Sequence, residues 1–150
     1  MVTAAPGVAL AILTADCAPV AFSSREGIIG VAHAGWRGLA AGVLEATVGG
    51  MADLGATEVT ATLGPCIHPC CYEFGAADLA RLAERFGPDV EAVDRQGRPA
   101  LDVPAAVAAA LGDARVPLVE VIDVCTGCSQ RFWSWRARQE TGRQATVIWR

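Results

Sequence analysis

Apolar and polar stretches alternate along the chain in short blocks that predict strands interleaved with helices. Residues 8–13 form a continuous apolar run rich in branched side chains, which predicts a buried strand. Residues 19–23 and 28–32 are two further short strands. Ser24-Arg25-Glu26-Gly27 between them is a polar connection of hairpin length. Positions 39, 40, 43, 44, 47, 48 and 51, apolar apart from Thr47, keep a helical period, and Gly55 is a plausible stop, so residues 39–54 are expected to form one helix. Residues 58–63 alternate polar and apolar, as a strand with one wet face does. Two prolines and a glycine make residues 64–71 a loop.

The second half continues the pattern. Residues 76–86 are an amphipathic helix, and Arg95-Gln96-Gly97-Arg98 is a turn with short strands on both sides. Asp102 is expected to cap a helix over 103–111 that carries Pro104 in its first turn. Residues 118–124 read as a strand, 131–138 as an aromatic and basic segment, and 145–149 as a closing strand. Strands alternate with helices while several neighbours look like hairpins, which predicts an α/β domain with a mixed β-sheet sandwiched by helices.

The chain has 150 residues, enough for one domain with its own core, and it is 53% apolar and 19% charged, as ordered globular chains are. A net charge of −4 argues against coating nucleic acid, which needs clustered positive charge. All 12 basic residues are Arg, so lysine Schiff-base and P-loop chemistry are excluded. No apolar run is long enough to span a bilayer and no signal peptide is evident, so a cytoplasmic location is expected. Six cysteines in such a chain are expected to be reduced thiols.

Cys17 and His33 are the side chains best suited to metal or nucleophile chemistry. They stand sixteen positions apart, in the loops that follow the apolar strands 8–13 and 28–32, and pairing of those two strands would bring them together. That spacing is no zinc-finger signature, and by itself it leaves a structural role open. Arg37, in Ala34-Gly35-Trp36-Arg37-Gly38 before a helix, is suited to an anion such as phosphate; a solvated surface cation is the other reading. Cys66, Cys70 and Cys71 with His68 suggest a second metal group, but adjacent cysteines diverge in extended backbone, so buried or loop thiols are expected, with His68 at the cleft edge. Cys125-Thr126-Gly127-Cys128 opens no evident helix and has no matching second pair, so neither a redox nor a zinc-ribbon role is expected. Phe132-Trp133-Ser134-Trp135-Arg136 offers aromatic faces for a planar base or for core packing.

Taken in order, Thr14-Ala15-Asp16-Cys17-Ala18-Pro19-Val20, His33 to Gly38, Gly64-Pro65-Cys66-Ile67, Cys70-Cys71-Tyr72-Glu73, Cys125-Thr126, Phe132 to Arg136 and Thr141 to Ala145 resemble the YfiH-like "laccase domain" proteins, once called multicopper polyphenol oxidases and later assigned as purine nucleoside phosphorylases. The resemblance covers nearly the whole chain. It implies an α/β fold with a mixed sheet, related to the catalytic domain of cytotoxic necrotizing factor toxins. It implies metal-dependent phosphorolysis of adenosine, inosine and methylthioadenosine, with adenosine deaminase side activity. The family's metal, usually zinc, is held by one Cys and two His; Cys17 and His33 match two of these. The other His belongs to an N-terminal part of the family domain that these residues do not include, so 1–150 is read as a fragment of that domain. Position 68 is commonly Gly in the family, and His68 is a candidate substitute ligand. With two ligands the metal is expected to bind more weakly and activity to be impaired. Arg37, with Arg136 and Arg143, is expected to hold the phosphate.

Three rival readings stand beside this one. Copper oxidase chemistry needs many His ligands and the chain has two, so copper is the less favoured metal. A metal-free thiol hydrolase or deamidase would use a Cys17–His33 dyad. An inactive remnant would bind a partner through a bare face.

Overall fold

The computed structural model describes residues 1–150. In chain order the elements are β1 (Val2–Thr3), β2 (Ala9–Thr14), β3 (Ala18–Ser24), β4 (Ile29–Ala34), α1 (Trp36–Ala40), α2 (Val43–Asp53), β5 (Val59–Leu63), α3 (Ala76–Phe86), β6 (Glu91–Val93), β7 (Pro99–Leu101), α4 (Val103–Asp113), β8 (Leu118–Val121), α5 (Trp135–Arg138) and β9 (Gln144–Trp149). Tight 3₁₀ turns occupy Pro69–Cys71 and Pro88–Val90.

The central sheet runs β1-β4-β3-β5-β8. Its β3–β4 hairpin closes through Ser24, whose N–H donates to the Ile28 carbonyl at 3.1 Å, and through Gly27 at φ 78°, where glycine meets no Cβ penalty. Neighbours are antiparallel except β5 and β8, which are parallel. The expected α/β class and mixed sheet are both present. Side chains alternate across the sheet. Ala18, Val20, Phe22, Ala32 and Ala34 join the main core with Leu44 and Met51 of α2 and Val107, Ala110 and Leu111 of α4. Ile29 and Val31 of β4, together with Ile12 of β2, are buried outside that cluster. They lie where a two-stranded ribbon of β2 and β9 leans on β3 and β4.

Two expectations change. Residues 8–13 are expected to be a buried strand. The strand forms, but Ala9, Ala11 and Leu13 face solvent, with Leu13 60% exposed, because its only partner is β9. Residues 39–54, expected as one helix, form α1 and α2, because Gly42 takes the left-handed conformation at φ 80° and breaks the i→i−4 ladder. Gly49 and Gly50 are carried inside α2, Gly50 resting on the Val2 side chain. By contrast, the Asp102 cap forms as expected: its carboxylate accepts the Ala105 N–H at 2.9 Å.

Candidate functional site

The site is built where β3 and β4 begin and end. Pro19 pairs with His33 and Ala18 with Ala34. One further step of that register sets Cys17 opposite Gly35, and a Cβ on Gly35 would lie 2.9 Å from the Cys17 sulfur. In an antiparallel pair, Cys17 and His33 are then diagonal neighbours on one face, about 7–8 Å apart at the backbone. Both line one cleft with Gly35, Trp36, Arg37 and Gly38. Cys17 is half-buried and His33 is exposed, so neither is sealed behind aliphatic packing.

Trp36 forms the wall between this cleft and a narrower recess lined by Asp16, Cys17, Ala34, Ile67, Tyr72 and Val103. The Phe74 ring meets Trp36 edge-on at 5.4 Å, and the Arg37 guanidinium lies 4.3 Å from the Trp36 ring centre. Arg37 is therefore braced along an aromatic face beside the cleft. Arg136 stands over Tyr72 at 5.0 Å and lines a polar recess with Glu73, Arg95 and Arg98. Arg143 donates to the carbonyls of Glu140, Thr141 and Gly142. Its charge reaches Cys17 and opposes the two effects that push that thiol up, burial first and then Asp16. Partial desolvation at the cleft mouth pushes the His33 imidazole down. A thiolate–imidazolium dyad needs the reverse on both groups, while a neutral imidazole is the form that ligates metal.

Asp16, which sequence reasoning passed over as a site residue, organises the surroundings. It is 7% exposed and holds φ 83°, a conformation Asp tolerates better than most residues. Its carboxylate accepts the Thr126 hydroxyl at 2.8 Å, the Ser134 hydroxyl at 2.7 Å and the Arg136 N–H at 2.7 Å. The segment around 126–136 is thereby tied to the residue preceding Cys17. The signal was present in the Asp16-Cys17 dipeptide, but its partners lie more than a hundred positions away. The aromatic segment does not enter the cleft: Trp133 and Trp135 are 47% and 49% exposed.

The fit to a metal is partial. Cys17 and His33 offer two donors, and no third Cys, His, Asp or Glu is gathered with them. His68 does not supply one, contrary to that possibility. Its ring stands 3.8 Å from Asp123, and its backbone N–H points to the Cys125 sulfur at 3.4 Å. The expectation that Cys70 and Cys71 diverge also fails. They lie in the 3₁₀ turn rather than in extended backbone, and both sulfurs meet those of Cys125 and Cys128. Cys66 stays apart from this group; it is buried, and burial pushes its thiol up to about 12.

Among solved structures, Neisseria meningitidis protein NMB0706 superposes with a TM-score of 0.88 at 33% identity, over 99% of this chain and 62% of that one. YlmD from Geobacillus stearothermophilus gives 0.87 at 34%, over 99% and 59%. Among curated relatives, "Purine nucleoside phosphorylase PA4543" of Pseudomonas aeruginosa is 41% identical over 98% of this chain and 62% of its own length. "Purine nucleoside phosphorylase YfiH" of Escherichia coli is 37% identical over 96% and 60%. The chain thus spans about 60% of the length of the curated relatives it matches. The model of the family described as "Multi-copper polyphenol oxidoreductase laccase" matches residues 1–150, and the chain belongs to that family, the YfiH-like proteins.

Proposed function

We propose that this chain carries the Cys17–His33 cleft of a purine nucleoside phosphorylase. Its substrates are adenosine, inosine and methylthioadenosine, with adenosine deamination as a side activity. The observation that carries the reading is the convergence of a thiol, an imidazole, an aromatic wall and a guanidinium on one cleft, in a chain 41% identical to a relative described as a purine nucleoside phosphorylase.

In phosphorolysis a phosphate oxygen bonds to C1′ of the ribose as the C1′–N9 bond breaks. The bonding electrons leave with the purine, which takes up a proton, and ribose 1-phosphate departs. Arg37 holds the phosphate, its guanidinium already braced on Trp36 and so losing little freedom on binding. Arg136 adds positive charge over Tyr72, and Arg143 adds it toward Cys17. Zinc between Cys17 and His33 would supply Lewis acidity; it takes a third protein donor that these residues do not provide.

The test is a kinetic split in the protein that carries this chain. Arg37→Ala should raise the phosphate KM at least about 10-fold, the loss of one charge-assisted contact of roughly 1.5 kcal/mol or more. The nucleoside KM should stay within about 2-fold on the same grounds. Equal effects on the two constants would remove Arg37 from the phosphate site.

A further inference from the structure

The structure assigns a second site, separate from the cleft: we propose that Cys70, Cys71, Cys125 and Cys128 bind one zinc ion as a closed tetrathiolate centre. The four sulfurs lie within 4.8 Å of one another. Cys70 stands 3.8 Å from Cys71, 3.8 Å from Cys125 and 3.4 Å from Cys128, and Cys71 stands 3.3 Å from Cys128. Four sulfurs at the zinc–thiolate bond length of about 2.3 Å form a tetrahedron with edges of about 3.8 Å. The cluster is therefore nearly the size one ion demands. It is too tight to enclose an iron–sulfur core with its own sulfides.

The backbone around the cluster is arranged for this. The 3₁₀ turn closes through the Cys71 N–H on the His68 carbonyl at 3.0 Å, which turns two adjacent thiols toward one point. The Cys125–Cys128 loop closes through N–H groups of Cys128 and Ser129 on the Cys125 carbonyl, at 3.2 and 3.0 Å. A Cβ on Gly127 would fall 2.7 Å from Cys71 Cβ, so only glycine lets the two loops meet this closely. The His68 N–H points at the Cys125 sulfur at 3.4 Å, and Arg95 points at the Cys128 sulfur at 2.9 Å. Four thiolates around a divalent ion leave a net charge of −2, and such donors offset it. Cys125 is buried and Cys128 exposed, so an ion can enter from solvent.

All four positions are filled by sulfur, which marks a structural centre rather than a catalytic one. The ion would fasten the loop after β5 to the segment before α5. Asp16 ties the same 126–134 segment to a different place, the connection between β2 and β3, through Thr126 and Ser134.

The test uses the reduced, metal-stripped chain, titrated with Co²⁺ and then displaced with Zn²⁺. The expected result is about one ion per chain with thiolate-to-cobalt charge transfer and the intense visible bands of tetrahedral cobalt. A Cys17→Ser/His33→Ala chain should keep that spectrum. Cys128→Ser, at the exposed corner, should weaken binding at least about 10-fold, since even a supporting partner is worth that much. Its circular dichroism should be unchanged. Two results would overturn the proposal. One is the absence of a tetrahedral thiolate spectrum with all four thiols reduced. The other is a spectrum that survives Cys128→Ser and Cys71→Ser but vanishes with Cys17→Ser/His33→Ala. Neither result removes the proposed nucleoside chemistry, and the second would place the metal at the Cys17–His33 cleft instead, so the two readings fail separately.

Discussion

Asp16 joins three donors from the C-terminal part of the chain: the Thr126 and Ser134 hydroxyls and the Arg136 N–H. Removing its carboxylate strands two buried hydroxyls and one part-buried N–H. Hydrogen bonds to a charged acceptor contribute about 1.5–3 kcal/mol each, and orphaned buried donors add a desolvation cost. Asp16→Ala is therefore expected to lower unfolding free energy by roughly 3 kcal/mol or more, read from denaturant midpoints. A loss below roughly 1 kcal/mol would show that these bonds are replaced by water. Arg37 differs in kind. Its guanidinium lies on Trp36 beside the cleft, so its loss should register in phosphate binding rather than in stability.

At the level of elements, α4 shows how a short sequence signal sets a boundary. Asp102 accepts the Ala105 N–H, and Pro104 occupies the first turn, where a missing N–H costs nothing. The helix buries Val103, Ala106, Val107, Ala110 and Leu111 beneath the sheet. Asp102→Ala should lower stability by about 1 kcal/mol, and Asp102→Asn by much less, since Asn caps as well as Asp. Thermal unfolding of the two variants checks this; equal losses would mean that the charge, not the cap, is what matters. The junction of α1 and α2 was harder to foresee. The apolar period runs through residues 39–51 unbroken, and only the positive φ of Gly42 separates the helices. In the same way, alternation misled the reading of Cys70 and Cys71, because their turn is not a strand.

Across the whole molecule, the α/β class, the β3–β4 hairpin, α3 and α4 were legible, because each rests on local periodicity and local punctuation. That Cys17 and His33 share a cleft was expected from pairing of residues 8–13 with 28–32, but β2 pairs with β9 instead. The β3–β4 hairpin, whose pairing follows from turn length, is what carries Cys17 and His33 to the same face. What stayed hidden depends on contacts between distant segments. The Asp16 network spans residues 16 to 136, and the four-cysteine cluster spans 70 to 128. Residues 8–13 were read as buried because an apolar run suits a central strand; pairing with β9 alone leaves Leu13 in solvent. The central claim concerns the cleft, and product analysis tests it most directly. Inosine and inorganic phosphate are supplied to the protein that carries this chain, and the products are identified. Phosphate-dependent release of hypoxanthine with one ribose 1-phosphate per base is expected, and it should be lost in Cys17→Ser and in His33→Ala. Free ribose formed without phosphate uptake, or full phosphorolysis in both variants, would contradict it.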